Sequence, residues 1–249
     1  MSGHSHWAGI KYKKAVNDAK RGKTWSKVAR MIIVAAKNGG GDPSANLSLR
    51  YAIDKAKAAN MPKDTIEKAI KKGTGDLAGI SFEEVLYEGY GPSGVAVMVD
   101  ALTDNRNRTG PEIKKIFEKH GGSLGASGCV NWMFSQKGLI TVSNEKVDEE
   151  QLLEIALNAG ADDVKTVGNV SEITCSPAAF EDLKKALQDN EITTDVAEIS
   201  MVPQTTISIS DQHTAERILS LMEAFDDHDD VQNAYSNFDI SDEIMEKIS

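Results

Sequence analysis

From Thr24 onward apolar residues recur every third or fourth position, at Trp25, Val28, Ala29, Ile32, Ile33 and Ala36. That period predicts a helix burying one stripe and ending at Asn38-Gly39-Gly40. Asp42-Pro43 reads as the N-cap and first-turn proline of a second helix with Leu49, Ala52, Ile53 and Ala56 inward. Pro62 opens a third, which carries Ile66, Ala69 and Ile70 to Gly73. The stretch GTGDLAG after it reads as a linker.

Beyond the linker the period changes to two. Glu83 to Glu88 and Val95 to Leu102 read as strands joined by GYGPSG, and Thr109-Gly110-Pro111-Glu112 reads as a capping box opening a helix with Ile113, Ile116, Phe117 and His120 inward. Val130 to Phe134 reads as another strand. Residues 137–202 then read strand (Leu139 to Val142), helix (Glu149 to Asn158), strand (Val164 to Val167), strand (Val170 to Cys175), helix (Pro177 to Gln188), strand (Val196 to Met201). This β-α-β-β-α-β order is the ferredoxin-like split unit. A strand (Thr205 to Ile209), a helix with Ala215, Ile218, Leu219 and Met222 inward and a last strand (Val231 to Ser236) follow. Three elements are too few for a core of their own, so they are expected to return to the 80–136 segment. The expected fold is therefore an α+β multidomain chain. A helical bundle over 1–76 precedes two ferredoxin-like α/β domains, one discontinuous (80–136 plus 204–238) and one inserted in it (137–202), before an acidic tail (239–249).

Charge sharpens this picture. Of the 249 residues, 1–75 hold 16 Lys+Arg against 5 Asp+Glu, whereas the rest hold 12 against 33, so the net charge of −10 conceals a strongly basic N-terminal module. Clustered positive charge is the footprint of a phosphate-binding surface, because each neutralised phosphate releases condensed counterions. The run Lys11, Lys13, Lys14, Lys20, Arg21, Lys23, Lys27 and Arg30, interleaved with Trp7, Tyr12 and Trp25, supplies the candidate nucleic-acid contacts. Trp25 belongs to the core stripe, which leaves Trp7, in a polar Gly/Ser/His arm, as the stacking candidate. The competing readings are a solvated helix face, or a patch that neutralises the acidic part of the same chain. Arg106 and Arg108, in the loop Asp104-Asn105-Arg106-Asn107-Arg108-Thr109, form a second candidate site; two guanidinium forks suit a phosphate or a carboxylate of another domain equally. The acidic FDDHDDV and DISDEIMEKIS segments read as solvated charge, with a surface for a basic partner as the alternative.

Other chemistry finds little support. Gly22-Lys23-Thr24 resembles the end of a phosphate loop, but Asn17 stands where the first glycine belongs and the preceding residues are basic and helical. Gly122-Ser123-Leu124-Gly125 matches a GXXG loop, yet joins a helix to a strand instead of two helices. Cys129 and Cys175 lie far apart without ligand-type neighbours, so neither a disulfide framework nor a metal site is expected. Nucleophile elbows, His-Glu-x-x-His and complete P-loops are missing, and no enzyme, cofactor or metal is expected. No apolar run approaches a membrane span and the start lacks a secretory h-region, which points to the cytoplasm.

Four separated segments, GHSHWAGIKYKK, YEGYGPSGVAVMV, DNRNRT and GGSLGASGCVNWMF, together resemble the YebC family, whose members include the translational activator of mitochondrial cytochrome oxidase. The resemblance runs from Ser2 to Phe238 and implies a helical N-terminal domain followed by two α/β domains, without enzymatic activity. It implies a transcriptional regulator that binds DNA, or a ribosome-associated factor that assists translation. Where members carry Lys this chain has His6, which makes the charge of the arm pH-sensitive near an unperturbed imidazole pKa of about 6.5. The expected partner is thus DNA or ribosomal RNA, with ribosomal or transcription-machinery proteins beside it; a protein-interaction scaffold is the alternative of a different class.

Overall fold

The computed structural model describes residues 18–78, 81–144, 147–167 and 169–248. Two compact units divide them, residues 18–129 with 213–234, and residues 130–212 with 235–248. Among the described residues no helix is long and apolar enough to cross a membrane.

The first unit opens with helix α1, Asp18–Gly39. It starts earlier than the apolar period predicts, because the Ala, Lys and Arg before Trp25 are good helix formers without being part of the stripe. Val28, Ile32 and Ala36 meet Leu49, Ala52, Ile53 and Ala56 of α2 (Leu47–Ala58) and Ile66 and Ala69 of α3 (Lys63–Thr74) in one core cluster. The indole N–H of Trp25 donates to the Ala59 carbonyl at 2.9 Å. Val34 is buried but stands outside that cluster, so α1 has a second covered side. At Gly73 a Cβ would strike the Ile33 carbonyl and the Ala36 methyl, so glycine sets how closely α3 approaches α1.

The start of α2 departs from expectation. Asp42 holds a local turn, its carboxylate accepting from the Ser44 N–H at 2.9 Å, and the helix begins four residues later with Asn46 as N-cap. Asn46 wins because it satisfies three groups at once. Its Oδ1 accepts from the Leu49 N–H at 3.1 Å, and its Nδ2 donates to the carbonyls of Ala35 and Gly40, both at 2.8 Å.

Strand β1 (Glu83–Tyr90) pairs antiparallel with β2 (Ala96–Thr103), from Glu83↔Thr103 to Tyr90↔Ala96. With β3 (Ser123–Leu124) and β9 (Val231–Ser236) they form a sheet ordered β3-β1-β2-β9. Helix α4 spans Arg106–Lys119 and α7 spans Gln212–Asp226; Phe117 and Phe225 from the two meet edge-on with centroids 4.9 Å apart. The capping box expected at Thr109 lies inside α4. The N-cap is Asn105, whose Oδ1 accepts from the Arg108 N–H at 3.2 Å, and the buried Thr109 hydroxyl is engaged elsewhere.

In the second unit β4 (Phe134–Ser143), α5 (Glu149–Asn158), β5 (Ala161–Val167), β6 (Val170–Cys175), α6 (Phe180–Asp189) and β7 (Val196–Pro203) give an antiparallel sheet ordered β5-β6-β4-β7. The strand expected at Val130 to Phe134 is a 3-10 turn, Asn131–Met133, which leads into β4. Strand β8 (Ile207–Ile209) does not join the first sheet. It pairs parallel with β10 (Phe238–Ile240), steered there by the buried Asn237, whose carbonyl accepts from the Ile207 N–H at 2.8 Å. The end of the chain, expected as a solvated tail, is helix α8 (Asp242–Ile248), which buries Ile244 and Met245.

Candidate nucleic-acid interface

Lys23, Lys27 and Arg30 recur at i, i+4 and i+7, so they share one face of α1. That face meets the C-terminal end of α7 and the segment 226–230 of the same unit. The Lys27 ammonium donates to the Asp226 carbonyl at 2.6 Å and that of Lys23 to the Asp227 carbonyl at 3.3 Å. The Arg30 guanidinium donates to the Asp229 carbonyl and to the Asp230 carboxylate, the latter at 2.9 Å. The last carbonyls of a helix lack intrahelical donors and carry the negative end of its dipole, so cations there satisfy both needs. Arg30 also stands over the Phe82 ring, 5.4 Å from its centroid.

Asp230 is the centre of this contact and only 2% exposed. One oxygen faces Arg30; the other accepts from Arg108 Nη2 at 2.6 Å and from the Thr109 hydroxyl at 2.6 Å. Thr109 in turn meets the Thr103 hydroxyl at 2.8 Å. The backbone is pinned as well, with Asp230 N–H donating to His228 Nδ1 at 3.1 Å and the Asp230 carbonyl accepting from Leu102 N–H at 2.8 Å. Burial pushes the Asp230 carboxyl up, but the Thr109 and Arg108 hydrogen bonds and the charges of Arg108 and Arg30 outweigh it and hold the group below the usual carboxylate range. The same carboxylate raises the Arg108 guanidinium.

Glu112, His228 and Asp230 bring potential metal-ligand atoms within 4.8 Å of one another. Their donors are committed to other bonds. His228 Nδ1 accepts a backbone proton, which assigns the ring proton to Nε2, and Nε2 faces Glu112 Oε2 at 3.0 Å. Asp230 is already neutralised by two guanidinium groups. A divalent cation would displace these partners and meet the positive charge of both arginines, so the set does not fit a metal.

The residues singled out by sequence are distributed as follows. Trp7, Lys11, Lys13 and Lys14 lie outside the described residues, as do the side chains of Lys20 and Arg21. Lys23 is exposed and Lys27 and Arg30 are half-buried, all three on segment 226–230. Arg106 is exposed, 3.7 Å from Glu83, while Arg108 bridges Asp230 and, at 3.0 Å, Asp104. Arg108 thus meets carboxylates of its own unit, not of another domain. Sequence reasoning passed over Asp230 and read Thr109 as a cap, because their separation of 121 residues leaves no local signal.

It also passed over a second cationic surface. Arg50 and Lys57 on α2, and Lys63, Lys68, Lys71 and Lys72 on α3, are all exposed. The helical period could have shown this, since Lys68 and Lys71 lie opposite the inward seam of Ile66, Ala69, Ile70 and Gly73. Lys57 and Lys63 sit 3.5 Å from Asp54 and 3.7 Å from Glu67, surface pairs of a few tenths of a kcal/mol. Lys68, Lys71 and Lys72 make no ion pair among the described residues.

Two family models match this chain, the TACO1/YebC protein N-terminal domain over residues 5–76 and the TACO1/YebC second and third domain over 82–238. The chain belongs to the TACO1/YebC family. A "Probable transcriptional regulatory protein" of Syntrophobacter fumaroxidans is 54% identical over 249 residues, covering 100% of each chain. One of Geobacter sulfurreducens with the same description is 55% identical over 248 residues, again covering 100% of each. A crystal structure of a conserved hypothetical protein from Aquifex aeolicus superposes with a TM-score of 0.86 at 50% identity, covering 96% of this chain and 99% of that one. TACO1/YebC membership accords with a mixed α+β chain whose N-terminal helices precede antiparallel sheets.

Proposed function

We propose that this TACO1/YebC protein is a non-enzymatic regulator of gene expression that binds nucleic acid through its basic helical module, acting in the cytoplasm on DNA as a transcriptional regulator. The observation that carries the reading is that the module turns cations outward on α2 and α3 while its apolar stripes close the core. We assign Lys11, Lys13, Lys14, Lys20 and Arg21 as further phosphate contacts, with Trp7 as a stacking residue. Lys23, Lys27 and Arg30 serve the docking of α1 first. The 137–202 unit, which we read as ferredoxin-like from its element order, and the sheet ordered β3-β1-β2-β9 orient the module and engage protein. The relatives described as transcriptional regulatory proteins support the choice of DNA.

Titrating a duplex with the full chain at several salt concentrations tests this. Six phosphate contacts give a slope of log affinity against log salt of about −5, and a flat dependence refutes the reading. The resemblance to a translational activator favours a second target, RNA in the ribosome. Co-sedimentation with ribosomes that survives DNase would select it over DNA.

A further inference from the structure

We infer that α2 and α3 form a helix-turn-helix whose second helix enters the major groove of duplex DNA. This rests on the nucleic-acid reading above and names the element that makes the contact. The two helices have 12 residues each and are joined by Ala59, Asn60, Met61 and Pro62. The link is a defined stop, not a loose loop. Asn60 takes the left-handed conformation (φ 54°), its N–H donates to the Lys57 carbonyl at 2.9 Å, and Met61 N–H reaches back to Ala56 at 2.9 Å. These are the two bonds of a Schellman motif, and the buried Met61 closes it onto the fully buried Ala56. Pro62 then starts α3 in a new direction. Both helices bury their seams with α1, as the first helix of such modules supports the following pair.

Of the three helices, α3 is the one left to read a groove. The apolar stripe of α1 is taken by the core, and its cationic face of Lys23, Lys27 and Arg30 by segment 226–230. The outward side of α2 mixes Asp54 with Arg50 and Lys57. The crest of α3, opposite Ile66 and Ala69, carries Asp64, Lys68 and Lys71, with Lys72 on its flank, all exposed. A helix with its side chains is about 10–12 Å across, and the major groove of B-form DNA is about 12 Å wide. The major groove of A-form RNA is too narrow and deep to admit it, so charge complementarity combined with shape selects duplex DNA. Lys68 and Lys71 reach the flanking phosphates. Asp64, in the first turn of α3, where its carboxylate suits the positive end of the helix dipole, also lies near the end that faces base edges in this geometry and can accept from a cytosine amino group.

The test uses the full chain, a 30-base-pair duplex and a stem-loop RNA. Lys68→Ala/Lys71→Ala, confirmed as folded by circular dichroism, is expected to weaken duplex binding roughly 10- to 60-fold near 100 mM salt and to make the salt slope shallower by about 2. Wild-type protein is expected to protect guanine N7 from methylation, a major-groove position, and Asp64→Ala to lose preference for one C·G pair. If wild type binds the duplex but the double variant binds equally well, or protection is confined to the minor groove, α3 is not the reading helix and the proposed function stands. Preference for the stem-loop over the duplex also overturns the inference while leaving nucleic-acid binding intact. If wild type binds neither polymer, both readings fall.

Discussion

Asp230→Ala removes the one carboxylate that holds Arg30, Arg108 and Thr109 together, at 2.9, 2.6 and 2.6 Å. Breaking a buried charge pair by deleting one partner costs about 3–5 kcal/mol. The structure selects the low end of that range. The side chains of Arg30 and Arg108 are 20% and 43% exposed, so both guanidinium groups regain water, and Thr109 keeps the Thr103 hydroxyl and the Asn105 carbonyl. We expect about 3 kcal/mol of destabilisation, seen in denaturant titration, and a fall in melting temperature of roughly 6–12 °C. Asp230→Asn keeps the shape and one acceptor and is expected to lose about half as much. The pH dependence identifies the charge as the cause. Because the folded carboxyl titrates below its unfolded value, its ionised form stabilises the protein above the unfolded pKa of about 3.9, and that contribution disappears as pH falls through the folded pKa. The gap between wild type and Asp230→Asn is therefore constant from pH 7 to about pH 4 and closes below it. A gap under about 0.5 kcal/mol at pH 7, within the ordinary range of surface substitutions, would refute the reasoning, as would a gap that widens as pH falls below about 4.

Three further outcomes follow from the same contacts. Asn46→Ala is expected to cost about 2 kcal/mol in denaturant titration, and Asn46→Asp no less: the aspartate restores the bond from Leu49 N–H but sets a buried carboxylate against the carbonyls of Ala35 and Gly40 that Asn46 donates to. A thiol reagent under native conditions is expected to leave Cys175 unmodified and to label Cys129 slowly at pH 7 and faster as pH rises; burial raises both thiols, and the Glu88 charge adds to it at Cys129. Arg30→Ala is expected to lower stability by about 1–3 kcal/mol while changing duplex affinity less than Lys68→Ala/Lys71→Ala does, as fluorescence anisotropy beside thermal melting would show.

What was legible in the sequence follows the range of the interaction concerned. The inward positions of α1, α2 and α3 were readable because a helix buries residues three and four apart, and Trp25 fell in the stripe for that reason. Caps were less readable. Asp42 and Asn46 carry equivalent local signals, and the choice between them was made by the carbonyls of Ala35 and Gly40, which only the folded turn presents. Thr109 had the sequence of a cap but the partner of a core hydroxyl, since Asp230 reaches it from 121 residues away. The FDDHDDV segment was read as solvated because its composition is acidic, yet Asp226, Asp227 and Asp229 take the α1 cations through backbone carbonyls, which have no signature in side-chain identity.

The division of charge along the chain is thereby separable into two physical roles. A cation three or four residues from the next on one helix shares its environment, so the face of α1 bearing Lys23, Lys27 and Arg30 acts as a unit, and what binds one binds all three. That unit satisfies helix-terminal carbonyls and a buried carboxylate, interactions that strengthen as water is excluded and respond weakly to salt. The α3 lysines face solvent at 100° steps away from their core seam, where only a polyanion with its own counterion atmosphere gives them a strong partner. One excess of positive charge in the sequence thus holds the module to its own chain on one helix and leaves exposed lysines on another, the surface proposed above for phosphate. The distinction rests on what each cationic face packs against, since the sign of the charge is the same in both cases.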